Sequence, residues 1–217
     1  RVLEVHGLSV DSERGVHVVH DCTFTLASGR VVGMAGVAGN GQRELIEALV
    51  GLLRPAEGTV LLGGRDITRA SVAERVAAGL VYIPEDRIGD GLLPGLSLAE
   101  NFMLGLHRYA FEGRLAFDHA IARTLTRKAI TEYGILARDE NVKVINLSGG
   151  NIQKVIVGRA FELARLTGGA ALLAMNPTRG LDVRATEFVR RRLLEFARAG
   201  GAVLLVSEDL DELLQLC

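Results

Sequence analysis

Residues 2 to 27 alternate apolar and polar positions in the manner of edge strands, first in VLEVHGLSV and then in VHVVHDCTFTL. After the turn Ala27-Ser28-Gly29, the run RVVGMAG has the short, β-branched, apolar pattern of a buried strand. QRELIEALVGLL follows with Leu45, Ile46, Leu49, Val50 and Leu53 at helical spacing, so the order is strand, glycine loop, helix. GTVLLGG reads as a further strand closed by glycines. Ser71 and Glu74 form a capping box at the head of VAERVAAG, and Gly79 ends that helix. LVYIPED is a strand broken by Pro84.

The period changes at residue 92. Ser97 and Glu100 make a second capping box, and helical spacing runs through LAENFMLGLH and DHAIARTLTRKAITEYGI with no convincing strand. A helix from about Gly150 to Leu166 comes next. It is followed by a strand (AALLAM), a helix (ATEFVRRRLLEFARAG), a strand (AVLLVS) and a helix (EDLDELLQL). Such alternation predicts an α/β fold whose parallel sheet is covered on both faces. The expected division is 1–91 for a small β region and the first part of the core, 92–142 for an α-helical subdomain, and 143–217 for the rest of the core.

Composition narrows the function classes. The 217 residues are 48% hydrophobic, enough to bury a core, and 25 basic against 26 acidic side chains give no charge excess for nucleic acid. Runs such as GAALLAM are too short to cross a bilayer. Two cysteines, Cys22 and Cys217, make no disulfide framework and suit a reducing compartment, and no signal peptide is visible. The chain begins at Arg1 without Met and stops at Cys217 inside a helical pattern, so a piece of a longer protein is expected. Five histidines show no metal spacing.

Two glycine motifs carry the chemistry. GVAGNGQRE, residues 36 to 44, has the outline of a phosphate-binding loop: Gly36 and Gly41 stand where G-x-x-x-x-G-K-[ST] requires them, but Gln42 and Arg43 replace the lysine and the hydroxyl. Taken alone, such a loop is as consistent with a plain turn. LSGGNIQK, Leu147 to Lys154, opens a long helix with Ser148 and the pair Gly149-Gly150. Ser148 by itself is an ordinary N-cap. Two glycines at a helix start cost stability unless the backbone must come close to something, and a helix tip with bare N–H groups is an anion site.

LSGGNIQK closely resembles the signature of ATP-binding cassette (ABC) ATPases. The resemblance extends over essentially the whole chain in the family's motif order: GVAGNGQRE at the Walker A position, YIPEDR at the Q-loop, LLAMNPTRGLD at Walker B and the D-loop, and VLLVSED at the switch strand. GVAGNGQ, PEDR and NPTRGLDV are most similar to the second cassette of tandem importers for simple sugars and nucleosides. The resemblance implies a P-loop NTPase core of ABC ATPase type, with a small antiparallel β region and an α-helical subdomain. It also implies a head-to-tail pair of cassettes, each ATP lying between the Walker motifs of one and the signature of the other.

The departures predict an idle pocket. Gln42 turns a phosphate-binding cation into a neutral amide, and Arg43 takes the place of an Mg²⁺-coordinating hydroxyl. Glu44, in the first helical turn, repels phosphate. Met175 and Asn176 stand where Asp-Glu belongs: Met175 cannot hold Mg²⁺ through water, and Asn176 can orient a water but not take its proton. Glu85 occupies the Q-loop glutamine position and Glu208 the switch-histidine position; solvated carboxylates are the reading preferred to catalytic bases. Gly36, Gly39, Asn40 and Gly41 keep a backbone nest for an anion, with Arg43 a partial replacement for the missing charge. The retained Ser148, Gly149, Gly150 and Gln153, with Asp182 in the D-loop position, are expected to act in trans on a partner cassette's ATP and Mg²⁺.

The implied partners are a first cassette in the same parent chain or a second ABC subunit, transmembrane permease subunits, and indirectly a solute-binding protein, at the cytoplasmic face of the plasma membrane. Leu92, Leu93, Phe102 and Met103 lie in the stretch that meets the permease in the family, although core packing is expected for at least half of them. Arg159, Arg165 and VRRRLLEF read as a solvated basic face. No Phe, Tyr or Trp occupies DSERGVHV, where the family stacks an aromatic on adenine; His17 is a weak substitute. An autonomous ATPase with unusual residues and a soluble ABC-fold regulator are the rival functions, and the absence of a basic stripe disfavours a nucleic-acid-associated protein.

Overall fold

The computed structural model describes residues 2–12, 14–37, 39–111 and 117–217. These residues form two compact units. The first comprises Arg1–Tyr82, Thr167–Asn176 and Arg190–Cys217, the second Ile83–Leu166 and Pro177–Val189. The signature helix and the 83–91 segment therefore cluster with the helical insert.

In the first unit, strands β1 (Leu3–Asp11) and β2 (His17–Leu26) pair antiparallel, and β4 (Glu57–Leu62) with β5 (Arg65–Asp66) completes a sheet of order β2-β1-β4-β5. β1 is thus an interior strand rather than an edge; Leu3, Val5, Leu8 and Val10 are fully buried. The second sheet has the order β3-β8-β7-β6, from β3 (Val31–Ala35), β6 (Leu80–Ile83), β7 (Ala171–Met175) and β8 (Ala202–Ser207). β8 pairs parallel with both β3 and β7. β3, expected to be buried, lies at the sheet edge with Gly33 and Ala35 exposed. Helix α1 (Gln42–Val50) contributes Leu45, Ile46 and Leu49 to one apolar cluster that also takes in both sheets. Helix α2 (Val72–Ala77) carries the first capping box, and Gly79 follows it at φ +95°, the left-handed conformation that suits glycine.

The second unit holds α3 (Leu98–Phe102), α4 (His107–Ala110), α5 (His119–Glu132) and α6 (Gly149–Thr167). Helix α7 (Val183–Arg198) begins in this unit and ends in the first, where α8 (Leu210–Leu216) packs on β3 and β8. Within LAENFMLGLH, α3 ends at Phe102 and α4 begins only at His107, with Gly105 between them at φ +79°. Leu92, Phe102 and Met103 are buried and Leu93 is 48% exposed, so three of these four are core.

The second capping box is complete. Ser97 Oγ accepts from the Glu100 N–H, and Glu100 Oε2 accepts from the Ser97 N–H at 2.9 Å and the Ser97 hydroxyl at 2.6 Å. Those bonds, chiefly the hydroxyl's, hold the Glu100 carboxyl below its ordinary pKa. A carboxylate lowered on folding adds stability at neutral pH and loses it as the pH falls through its folded-state pKa. Ser97→Ala is expected to cost about 1 kcal/mol at pH 7. The difference should shrink below pH of about 4, as checked by urea unfolding at both pH values.

Candidate functional site

The phosphate-loop segment leaves the end of β3 and turns at Gly39 (φ +90°) and Gly41 (φ +88°) into α1. Asn40 Nδ2 donates to the Val37 carbonyl at 3.2 Å and closes the turn. Gly41 has a steric reason besides its dihedral, because a Cβ there would sit 2.6 Å from the Val18 carbonyl oxygen. Gly41 at the N-cap has no side chain to cap the first turn of α1, which leaves the N–H groups there a capacity for an anion.

The loop's other side chains make local contacts. Gln42 folds back from α1 onto Gly36, where a Cβ would lie 1.7 Å from its Nε2. The amide therefore fills space beside the loop's first glycine. Arg43 Nε donates to Glu47 Oε1 at 2.7 Å, so the cation expected to compensate for the lost lysine is paired along its own helix. Glu44 lies in the first turn.

Asn176, at the end of β7, is 7% exposed and adopts φ +42°, a left-handed conformation that asparagine tolerates. Its N–H donates to the Val206 carbonyl at 2.8 Å, and its Oδ1 accepts from the Glu208 N–H at 3.1 Å. The asparagine thus ties the ends of β7 and β8 together, and Glu208 itself is exposed. A hydrated magnesium does not fit this donor set. Arg43 and Met175, the residues expected at the ligand positions, offer a guanidinium already paired with Glu47 and a thioether, and neither group ligates magnesium. His17 is half-exposed, and its Nδ1 lies 2.5 Å from Asp11 Oδ1.

The signature belongs to the second unit. Ser148 and Gly149 are exposed at the start of α6. Ser148 Oγ accepts from Asn151 Nδ2 at 2.9 Å and from the Asn151 N–H at 3.4 Å, which leaves the hydroxyl proton to be donated outward. Asn151 is itself buried, with Oδ1 accepting from the Leu136 N–H at 2.8 Å. Gly150 permits a close approach: a Cβ would lie 3.2 Å from Ala185 Cβ and 3.5 Å from Asp182 Oδ2. Asp182 is exposed and accepts from the Ala185 N–H at 2.9 Å, so it caps α7.

Gln153 is not presented outward as expected. It is 1% exposed, its Nε2 donates to the Pro177 carbonyl at 2.7 Å, and its Oε1 accepts from Arg87 Nε at 3.0 Å. Glu85 is not a free carboxylate either; Arg179 Nη1 donates to its Oε1 at 2.5 Å. Arg159, read as solvated, reaches inward to the carbonyls of Gly91 (2.6 Å) and Asn101 (3.1 Å), and burial lowers its pKa to about 10. The side chains missed from sequence are Arg87, Arg179 and Asn151. The first two sit inside the motifs PEDR and PTRGLD, but local spacing carries no sign of which distant group each meets.

The expected site residues thus fall into two sets. Gly36, Gly39, Asn40, Gly41, Gln42, Arg43, Glu44, Asn176 and Glu208 belong to the first unit, and Glu85, Ser148, Gly149, Gly150, Gln153 and Asp182 to the second.

Comparison with known proteins gives this arrangement a context. A sequence profile described as ABC transporter matches residues 19–165. The guanosine import ATP-binding protein NupO of Bacillus subtilis (strain 168) is 38% identical over 216 residues, 99% of this chain and 42% of that protein. The nucleoside import ATP-binding protein NupA of Lactococcus lactis subsp. cremoris (strain MG1363) is 34% identical over 216 residues, again 99% of this chain and 42% of that protein. The arabinose import ATP-binding protein AraG 2 of Burkholderia thailandensis is 37% identical over 201 residues, 93% of this chain and 38% of that protein. The chain spans about two fifths of the length of these curated relatives.

Among solved structures, the ATP-binding subunit of an ABC transporter has a TM-score of 0.75 at 25% identity, covering 100% of this chain and 83% of that one. A nucleotide-free ATP-binding cassette from an ABC transporter has a TM-score of 0.76 at 22% identity, covering 99% and 84%, a likeness of fold alone. The fold is the P-loop NTPase fold of ABC ATPases, with one antiparallel and one parallel sheet. With a family profile covering residues 19–165 and relatives 34–38% identical along nearly its entire length, the chain belongs to the ABC transporter family.

Proposed function

We propose that the chain is the second, degenerate ATP-binding cassette of an importer for a simple sugar or nucleoside. In this reading it gives its signature in trans to a partner cassette's ATP while its own Walker pocket stays idle. The observation that carries the proposal is the contrast between the two glycine motifs. Ser148 stands exposed with its hydroxyl oriented by Asn151, whereas Gln42 lies against Gly36 and Arg43 is paired with Glu47. The relatives, guanosine, nucleoside and arabinose import proteins, support the solute class.

In such a pair the Ser148 hydroxyl donates to the γ-phosphate. The Gly149 and Gly150 amides at the head of α6 stabilise the charge that develops there. Asp182 faces the partner's site. Magnesium comes with the nucleotide and is held by the partner cassette. Permease subunits supply the membrane path, consistent with no helix among the described residues being long and apolar enough to cross a membrane. The cassette then lies peripherally on the cytoplasmic face and couples turnover to transport.

The isolated chain is expected to hydrolyse MgATP at background rate and to bind nucleotide weakly, with the same affinity in magnesium and in EDTA. Titration calorimetry under both conditions, with a phosphate-release assay, checks this. Tight, strictly magnesium-dependent binding with robust turnover would reject the idle pocket.

A further inference from the structure

We infer that Arg87 is a positioning residue for the signature tip, acting through Gln153 and the Arg179 carbonyl; this rests on the reading that Ser148 serves a partner's nucleotide. Three segments distant in sequence meet at one guanidinium. Arg87 Nε donates to Gln153 Oε1 at 3.0 Å, on the second turn of α6. Its Nη2 donates to the Arg179 carbonyl oxygen, on the segment that leads to Asp182. Its Nη1 lies 3.7 Å from where a Cβ on Gly149 would stand.

Each partner depends on the others for its orientation. The Gln153 amide is buried with both ends engaged, so its oxygen faces Arg87 and its nitrogen faces the Pro177 carbonyl. Flipping it would oppose donor to donor and acceptor to acceptor. The Pro177–Asp182 segment is therefore held at Pro177 by Gln153 and at Arg179 by Arg87. The same segment is tied to Glu85 by Arg179 Nη1. The loop that carries Arg87 has a defined shape as well. Asp86 Oδ1 accepts from the Ile88 and Gly89 N–H groups at 3.0 and 2.8 Å, and the Gly91 carbonyl accepts from Arg159 Nη2 at 2.6 Å. Glu85, Asp86, Arg87, Ile88 and Arg179 line, with Gly149, a cavity of about 300 Å³.

A planar fork with separate donors is what this junction uses, and a lysine ammonium cannot serve the two acceptors in that geometry. Ser148 and Asp182 thus share one brace although neither touches Arg87. A catalytic donor displaced by about 1 Å can cost on the order of a hundredfold in rate.

The test uses the assembled two-cassette ATPase carrying Arg87→Gln, Arg87→Lys, Ser148→Ala, or Arg87→Gln together with Ser148→Ala, each matched for folded fraction by its melting curve. Arg87→Gln and Arg87→Lys should each lower kcat by about tenfold to a hundredfold. KM for MgATP should change much less than kcat, because the tip acts chiefly on the charge that develops in the transition state. On the Ser148→Ala background, Arg87→Gln should cost less than it does alone, since part of its effect passes through Ser148. Effects that multiply in the double variant, or full turnover by Arg87→Lys, overturn the inference and leave the trans reading intact. Unchanged kcat in Ser148→Ala overturns the trans reading itself, and this inference with it. If Arg87→Gln does not fold, Arg87→Lys, which keeps charge and length, decides alone by its kcat.

Discussion

Ser148→Arg in the assembled ATPase is expected to reduce MgATP turnover to background while the substituted chain keeps its fold. Ser148 is exposed at the head of α6, so a larger side chain meets no core. What is lost locally is a cap: the Asn151 N–H and Nδ2 lose their hydroxyl acceptor, a cost of about 1 kcal/mol. What is lost in the pair is greater. The outward hydroxyl donor disappears, and removal of one such transition-state donor alone costs on the order of 10²- to 10³-fold. On the proposed trans reading, a guanidinium also fills the space a partner's γ-phosphate would enter, so closure is expected to fail. Gln42→Ala is expected to be at least about tenfold milder, because the side chain it removes lies against Gly36 and, on the proposed reading, serves no hydrolysed nucleotide. Steady-state ATPase assays of the two variants side by side check this. Equal losses would refute the unequal division of labour between the two glycine motifs.

The largest effect on stability is expected from Arg75→Met, about 3 to 5 kcal/mol by urea unfolding. Arg75 is 2% exposed, and its partners are backbone carbonyls: Ala48 and Leu49 at 2.8 and 2.7 Å through Nη1, Ala70 at 2.9 Å through Nε, and Thr68 at 2.8 Å through Nη2. Two of these are the last-turn carbonyls of α1, where a cation complements the helix dipole. The guanidinium therefore closes the end of α1 opposite the glycine loop and fastens it to the segment leading into α2. Burial lowers its pKa, a measure of how poorly solvated the charge is. Methionine preserves much of the volume but leaves the carbonyls buried without donors, and an unmade buried hydrogen bond costs far more than a made one contributes. A loss under about 1 kcal/mol would mean that water replaces the guanidinium at these carbonyls.

Much of the fold was legible because its signals are local. Helical spacing in QRELIEALV, the paired Ser and Glu of both capping boxes, and Gly79 past the end of α2 express backbone sterics and hydrogen bonding within one or two turns. β5 was not legible, because a strand of two residues has no period. The edge position of β3 and the interior position of β1 were not legible either, since each depends on which strand lies alongside.

The candidate site divides along the same line. Residue chemistry alone determined that the glycine loop lacks lysine, hydroxyl and paired carboxylates and that the serine and glycines of LSGGNIQK remain, because ligand capacity is a property of side-chain type. Only the tertiary structure decided that Gln153 is buried and bonded at both ends, that Glu85 meets Arg179, that Arg159 reaches inward to two carbonyls, and that Arg87 donates to Gln153. A long charged side chain can reach many partners, and the one it takes is chosen by which distant segments folding brings within hydrogen-bond range.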